Sequence, residues 1–163
     1  AAVVTGDEPL GGMSKVIDDY YNAGGNMDDV YTFLLARKYR ITETDMAILE
    51  RIVEAEATDG TLKQKMNVAS CILSRVESKE FPNTVESVVY QTGQFSPLRD
   101  GRYYTVEVTE STRLAVRTVL NEGKLHSYLY FCADCDSYRH GWFSTLKEFY
   151  FDGIHHYFTG EKK

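Results

Sequence analysis

The amino-acid sequence predicts an α+β protein with a mainly helical body and a small β-rich lobe at its C-terminal end. Two patterns indicate this fold class. In several segments before residue 123, apolar residues recur every three or four positions, which is typical of amphipathic helices. After residue 127, aromatic residues gather in short runs that are typical of strands. The helical body is therefore expected to precede the β-rich lobe in the chain.

Length and composition favour one globular domain. The chain has 163 residues, of which 43% are hydrophobic and 26% are charged. A chain of this size can bury a substantial core without a disulfide or a metal. Residues 1–12 are rich in glycine, which is typical of loops and linkers. We therefore predict a flexible arm or linker remnant at 1–12 and a single domain over 13–163.

Charge and hydropathy exclude several kinds of partner. The net charge is −6, and no cluster of Lys and Arg forms a footprint for nucleic acid or an anionic membrane surface. No apolar run approaches the ~20 residues that a membrane span requires. The first residues, AAVVTGDEPLGG, lack the basic start of a signal peptide. The chain is thus expected to be cytosolic, or a mature or trimmed piece of a secreted protein.

Four helices are predicted in the first half of the chain. Their expected spans are 14–23, 26–39, 42 to about 59, and 61–78. Thr42 and Asp45 have the spacing of a capping box at the start of the third helix, and an Asp-Gly pair ends it. The fourth helix carries a wide apolar stripe, so it is expected to be the central, mostly buried helix.

The second half of the chain contains shorter predicted elements. One or two helical turns are expected at 84–91, then a long loop at 92–108 with a short strand at YYTVEV, then a helix at 109–123. Three aromatic-rich runs are read as strands: 128–133, 146–151 and 155–158.

Two glutamates near the end of the third helix are predicted to have different environments. At about 100° per residue, Glu56 falls in the middle of the apolar stripe, whereas Glu54 falls on the opposite side beside Glu50. Glu54 is therefore expected to face solvent and Glu56 to be buried. Burial raises the pKa of a carboxyl group, which a general acid needs near neutral pH. The alternative is a structural glutamate that is satisfied by backbone N–H groups or by Arg75.

Glycosidases typically use two carboxylates, so a second acid was sought. Asp59 lies three residues after Glu56, but the Asp-Gly pair ends the helix there. The remaining acids lie in the long loop or near two cysteines, and none is a clear partner. They are Asp100, Glu107, Asp134 and Asp136.

Several motifs together resemble the cell-wall hydrolase family of spore-cortex-lytic enzymes. They are RIVEAEATDGTLKQKMNVASCILSRV (51–76), FPNTVESVVYQTGQFSPL (81–98), LYF (129–131) and GIHHYF (153–158). The resemblance covers about residues 46–158, and FPNTV…VVYQTGQF is its most specific part. Ser74 replaces the Asn that the family has before Arg-Val, and Tyr157 replaces its final Phe.

The resemblance implies a lysozyme-like fold, a catalytic domain over 13–163 and action on the glycan strands of peptidoglycan. It places the catalytic glutamate at Glu56. It also implies substrate-binding residues along the cleft, with Trp142 added here as a further stacking candidate. These residues are Gln94, Phe95, Tyr130, Trp142 and His155. His156 is a rival to His155, because the two adjacent histidines blur the register of the terminal motif.

The implied reaction is a lytic cleavage between N-acetylmuramic acid and N-acetylglucosamine, in spore cortex or cell wall. Glu56 would protonate the glycosidic oxygen and then deprotonate the C6 hydroxyl of the muramic acid, which closes a 1,6-anhydro ring. This route needs no second carboxylate. Hydrolysis of the same bond is the alternative, if an acid of the loop holds a water molecule.

Two further functions remain open from the residues alone. Cys71 with His155 would make a stem-peptide amidase or peptidase, although Cys71 lies mid-helix where a core residue is expected. Cys132, Cys135 and His140 would bind zinc in a non-catalytic module, although one C-x-x-C is half a signature. Two ordinary loop cysteines, disulfide-linked outside the cell, are the favoured interpretation.

The family resemblance also sets the expected context of the protein. We expect no cofactor, a monomer, and a secreted protein associated with the cell wall or the spore. The sequence identifies no activating partner protein.

Overall fold

The computed structural model describes residues 41–163, together with Gly24 and Tyr39. The predicted arm at 1–12, the helix at 14–23 and most of the helix at 26–39 lie outside the described residues. Tyr39, at the end of that second helix, is helical and buried against the core. None of the described helices is long and apolar enough to cross a membrane.

The helical body is built from elements close to those that the sequence predicts. They are α1 (Glu43–Glu56), α2 (Leu62–Glu77), α3 (Val85–Val89), α4 (Ser96–Asp100), α5 (Arg102–Thr105) and α6 (Glu110–Glu122). The capping box at the start of α1 is confirmed, since the Thr42 hydroxyl accepts from the Asp45 N–H and the Asp45 carboxylate accepts from the Thr42 N–H. A second capping box, between Thr61 and Gln64, begins α2.

Helix α2 is the central helix, as predicted. Its residues from Asn67 to Arg75 are all buried, and it packs against α1, α3 and α6. Fully buried apolar side chains of α1 and α2 form the middle of the core. They include Leu49, Ile52, Val53, Val68, Ile72 and Leu73. The core therefore fixes the end of α1, where Glu56 lies.

The C-terminal lobe is a three-stranded antiparallel sheet in the order β1-β3-β2. Its strands are β1 (Tyr130–Ala133), β2 (Leu146–Phe151) and β3 (His155–Lys162). A short helix, α7 (Asp136–His140), and a 3-10 helix (Trp142–Thr145) connect β1 to β2. Because neighbouring residues of a strand point to opposite faces, His155 faces the helical body and His156 faces α7.

The segment between α3 and α6 differs from the prediction. No strand forms at YYTVEV; the short helices α4 and α5 occupy 96–105 instead. Pro97 lies in the first turn of α4, where proline is well tolerated. Gly101 separates the two helices with a φ of +88°, a conformation that glycine adopts at little cost. Tyr103 is then buried from a helical turn rather than from a strand.

The expected solvent-facing position of Glu54 is wrong. Its side chain is buried, and its Oε1 accepts a 2.7 Å hydrogen bond from the Thr109 N–H at the start of α6. Lys65 Nζ lies 3.7 Å from Oε2. A helical wheel shows only on which side of a helix the apolar residues lie. It does not show that α2 and α6 cover the polar side of α1 as well. Burial is tolerated because the carboxylate is paired and hydrogen-bonded.

Candidate active site

Glu56 is the last residue of α1 and lies at a sharp turn of the chain. The Gly60 N–H donates to the Ala57 carbonyl oxygen at 2.9 Å. A Cβ on residue 60 would lie only 2.8 Å from that same oxygen, so the turn requires glycine. Asp59 adopts a positive φ of 60° in the turn. The chain thereby leaves the helix directly after Glu56, whose side chain is 11% exposed.

The surroundings of Glu56 favour its protonated form. Burial raises the pKa of its carboxyl to about 7. The charges of Arg102 and Arg75 oppose this rise, and the charge of Asp100 adds to it. Desolvation is the largest of these effects because it penalises the ionised form directly. A large fraction of Glu56 is therefore protonated at neutral pH, as a general acid requires.

His155, rather than its neighbour His156, lies beside Glu56. His155 Nε2 is 3.8 Å from Glu56 Oε2, and the imidazole is buried. Burial lowers the pKa of His155 to about 4, so the ring is neutral at pH 7. His156 lies on the other face of the sheet, stacked between Tyr138 and Phe151. The contact at Glu56 is thus between a carboxyl group and a neutral imidazole.

Asp152 fixes the position of His155. Its Oδ1 accepts from the His155 N–H at 2.8 Å, and its Oδ2 accepts from Asn67 Nδ2 at 3.0 Å. Gln64 Nε2 donates to the Asp152 carbonyl oxygen at 2.9 Å. The turn between β2 and β3 is therefore fastened to α2. This connection brings the β-rich lobe to the end of α1.

Arg75 connects Gln94 and three aromatic rings to the central helix. Its side chain is buried, Nε donates to the Leu129 carbonyl at 2.7 Å, and Nη1 donates to Gln94 Oε1 at 3.0 Å. The guanidinium carbon lies 4.8 Å, 5.1 Å and 5.3 Å from the ring centroids of Phe81, Phe95 and Tyr130. In residues 41–163 it forms no ion pair with a carboxylate. Arg75 therefore holds Gln94 through a charge-assisted hydrogen bond.

The predicted substrate-binding residues differ in accessibility. Gln94 is exposed, Trp142 is 46% exposed, and the half-buried Tyr130 ring lies edge-on to Trp142 at 5.2 Å. These three side chains are therefore accessible to a ligand. Phe95 and His155 are each only 3% exposed, so they are not accessible in this conformation. Their contacts with a sugar stay predictions, as do those of the other three.

An arginine that the sequence reasoning did not single out lies beside Glu56. Arg102 Nη1 donates to the carbonyl of Ala55 at 3.3 Å, and Nη2 donates to Ser96 Oγ at 3.2 Å. Its Nε and its backbone N–H both bind the Asp100 carboxylate, at 2.9 Å and 3.0 Å. The sequence feature that could have indicated this pair is the Asp-Gly-Arg triplet at 100–102. Its glycine allows a turn in which the carboxylate and the guanidinium face each other.

The cysteines do not form the zinc arrangement considered from the sequence. Cys132 lies in β1, Cys135 caps α7, and all three cysteines are free thiols. Within the described part of the chain, no group of three or more His, Cys, Asp and Glu side chains is placed to hold a metal ion. His140, the third candidate ligand, lies exposed at the end of α7.

Comparison with known proteins connects this geometry to a family. A family model described as Cell Wall Hydrolase matches residues 59–159, and Glu56 lies just before that match. A spore cortex-lytic enzyme of Bacillus cereus is 27% identical over 111 residues, which cover 68% of this chain and 39% of that protein. A spore cortex-lytic enzyme of Bacillus subtilis is 30% identical over 80 residues, which cover 49% of this chain and 26% of that protein. The chain thus spans about two fifths of the length of the Bacillus cereus protein.

Two solved structures are similar in fold. One is the catalytic domain of the germination-specific lytic transglycosylase SleB from Bacillus anthracis, with a TM-score of 0.63 and 26% identity. The match covers 72% of this chain and 95% of that domain. The catalytic domain of the Bacillus cereus SleB protein gives the same TM-score and identity and is covered to 91%.

Proposed function

The chain belongs to the cell wall hydrolase family, and we propose that it cleaves the glycosidic bond between N-acetylmuramic acid and N-acetylglucosamine in peptidoglycan. Its fold is the lysozyme-like fold of the SleB catalytic domain. The observation that carries the proposal is the environment of Glu56, a carboxyl at the end of α1 that is 11% exposed and whose pKa burial raises to about 7.

In the first step, protonated Glu56 donates its proton to the glycosidic oxygen. The C1–O bond of the muramic acid breaks, and positive charge develops at C1 in an oxocarbenium-like transition state. Arg102 and Arg75 lower the pKa of Glu56 against the effect of burial, so they stabilise the carboxylate that this step leaves behind. Because the imidazole of His155 is neutral, it adds no positive charge near the C1 atom where positive charge develops.

In the second step, the Glu56 carboxylate takes the proton of the C6 hydroxyl, and the C6 oxygen bonds to C1. The product is a 1,6-anhydro-muramic end, and Glu56 returns to its acid form. Hydrolysis would instead need a free carboxylate that activates water. Among the described residues near Glu56, Asp100 is bound to Arg102 and Asp152 is bound to backbone N–H groups and Asn67. Hydrogen bonds to a carboxylate stabilise its ionised form and make it a weaker base for water, which favours the lytic route.

The accessible side chains of the cleft suit glycan binding. Gln94, held by Arg75, would hydrogen-bond an N-acetyl group, and Trp142 with Tyr130 would stack on sugar faces. A protein with this activity would act outside the cell, in the cell wall or the spore cortex. The glycan strand is the only partner that we propose.

The amidase alternative finds no support in the geometry. Cys71 is completely buried, and burial raises the pKa of its thiol to about 11. A nucleophilic cysteine needs an accessible thiolate with a lowered pKa. Cys71 is a core residue of α2, as its mid-helix position predicts.

Mass spectrometry of digested peptidoglycan tests the proposed function. Purified cortex and vegetative peptidoglycan are each incubated with the protein, and the soluble fragments are analysed. Anhydro-muramic ends are the expected product. Reducing muramic ends would indicate hydrolysis, free stem peptides would indicate an amidase, and intact strands from both substrates would favour a binding module.

The rate of cleavage is expected to fall as the pH rises through about 7. Only protonated Glu56 can act as the acid, and its fraction falls about ten-fold per pH unit above its pKa of about 7. The measurement is kcat/KM on soluble glycan fragments between pH 5 and pH 9. A rate that is constant or rises through pH 7 would contradict the role of Glu56 as the acid.

A further inference from the structure

We infer that Arg102 determines the chemical outcome of cleavage, because it pairs with both oxygens of the Asp100 carboxylate and so weakens that group as a base for water. The inference rests on the lytic cleavage proposed above. It makes Arg102 a residue that specifies the product, anhydro or reducing, in addition to its effect on the Glu56 carboxylate.

Both oxygens of Asp100 are bound by the same residue. Oδ1 accepts from the Arg102 backbone N–H at 3.0 Å, and Oδ2 accepts from Arg102 Nε at 2.9 Å. Both side chains are about half exposed, at 50% for Arg102 and 48% for Asp100. The carboxylate is therefore accessible to solvent, but each of its oxygens accepts a hydrogen bond from Arg102. These bonds and the guanidinium charge lower the pKa of the Asp100 carboxyl, which makes it a weaker base for water.

Arg102 also connects Asp100 to the end of α1. Its Nη1 donates to the carbonyl of Ala55, the residue that precedes Glu56, at 3.3 Å. The guanidinium of Arg102 thus connects the Asp100 carboxylate to the backbone next to Glu56. The charges of Asp100 and Arg102 both act on the pKa of Glu56, as this proximity requires. Inverting glycosidases separate their two carboxyl groups by about 6.5–9.5 Å to admit a water molecule.

The other groups that face Glu56 are poorer bases for water. His155 is buried and has a pKa lowered to about 4 by burial. Asp152 accepts hydrogen bonds from two backbone N–H groups and from Asn67, which fix the β2–β3 turn. Arg75 is a cation. Asp100 differs from these groups, because its charge acts on Glu56, it is 48% exposed, and one residue, Arg102, binds both of its oxygens.

The two outcomes differ only in the nucleophile at C1 of the muramic acid. In both, Glu56 protonates the leaving oxygen. In the lytic route, the C6 oxygen bonds to C1 and its proton returns to Glu56. In the hydrolytic route, a water oxygen bonds to C1 and its proton passes to Asp100, which leaves a free hydroxyl at C1. Freeing Asp100 from Arg102 supplies the base that the second route lacks.

The test compares products from the full chain in wild-type form and in four variants. The first variant, Arg102→Gln, releases the Asp100 carboxylate. The double variant, Arg102→Gln/Asp100→Asn, also removes the carboxylate that is released. The third, Asp100→Asn, removes the Asp100 carboxylate and keeps Arg102. Arg99→Gln is the matched control, since Arg99 is an exposed arginine of the same segment whose charge acts on Asp100 but which forms no ion pair with it among the described residues. This variant therefore tests for an effect of charge alone. Exposed ion pairs contribute about 0–1 kcal/mol, so all four variants are expected to fold.

The measured quantity is the ratio of reducing to anhydro muramic ends. We expect Arg102→Gln to raise it at least about ten-fold, since a positioned general base contributes roughly 10²–10⁴-fold to its step. The double variant, Asp100→Asn and Arg99→Gln should keep the low wild-type ratio. The inference would be overturned by an unchanged ratio in Arg102→Gln or by an equal rise in Arg99→Gln. A rise that persists in the double variant, or mainly reducing ends from the wild type, would overturn it as well. Absence of glycosidic cleavage by the wild type would instead refute the proposed function.

Discussion

Replacing Glu56 by glutamine is expected to lower the rate of peptidoglycan cleavage by roughly 10³-fold. Glutamine has nearly the same shape but no proton to donate, and general acid–base catalysis contributes about 10²–10⁴-fold. The fold should be unharmed, because burial raises the pKa of Glu56 and so disfavours its ionised form. We expect Glu56→Gln to be at least as stable as the wild type, with an advantage that grows as the pH rises from the ordinary carboxyl pKa to about 7 and is constant above that.

Glu54→Gln is the control on the same helix. Glu54 accepts a hydrogen bond from the Thr109 N–H and lies far from solvent, so its substitution should affect stability and leave the rate per folded molecule nearly unchanged. Rates are measured on soluble glycan fragments below the Tm of every variant. Full activity in Glu56→Gln, or an equal loss of rate in both variants, would show that Glu56 is not the acid.

Replacing Glu54 by alanine is expected to lower the free energy of unfolding by about 3–5 kcal/mol, the usual cost of breaking a buried ion pair by removing one partner. The change leaves Lys65, whose side chain is 4% exposed, without its carboxylate and leaves the Thr109 N–H without its acceptor. Urea unfolding at pH 7 measures the loss. Replacing the pair together, as Glu54→Leu/Lys65→Met, should recover most of it.

Glu110→Ala is the surface control for this experiment. Its side chain is 88% exposed and pairs with Arg113, so the expected change is below about 1 kcal/mol. A loss below 1 kcal/mol in Glu54→Ala as well would mean that the buried pair contributes little.

The two glutamates should also respond to pH in opposite ways. Burial acts to raise the pKa of Glu54, but hydrogen bonds from Thr109 and the charge of Lys65 lower it overall. Its stabilisation is therefore present above the ordinary carboxyl pKa and is lost as the pH falls through the lowered value. Glu56 has a raised pKa, so its contribution is greatest at low pH and is lost as the pH rises through about 7.

The sequence was sufficient for elements whose signals are local. Thr42 and Thr61 begin α1 and α2, and the apolar stripes of these helices form the core. It was also sufficient to expect a largely covered Glu56, whose side chain is 11% exposed, because the apolar stripe of α1 runs to this residue. The wheel was wrong for Glu54, since the contacts that cover it come from Lys65 in α2 and Thr109 in α6, and no periodicity within α1 reports them.

The supports of the site depend on contacts between distant parts of the chain. Asp152 binds Asn67 across 85 residues, and Arg75 reaches the Leu129 carbonyl across 54. Such pairings follow from tertiary packing, so one sequence cannot assign them. The Asp100–Arg102 pair is local, but its importance arises only where Arg102 meets the Ala55 carbonyl beside Glu56.

Titration of the Glu56 carboxyl is the most direct test of the central claim, which is that burial raises the pKa of this glutamate to about 7. The protein is labelled with ¹³C at glutamate side-chain carboxyls, and the resonance absent from Glu56→Gln is followed between pH 3 and pH 9. We expect this resonance to titrate near pH 7. A midpoint near 4.3, the ordinary value for glutamate, would contradict the claim.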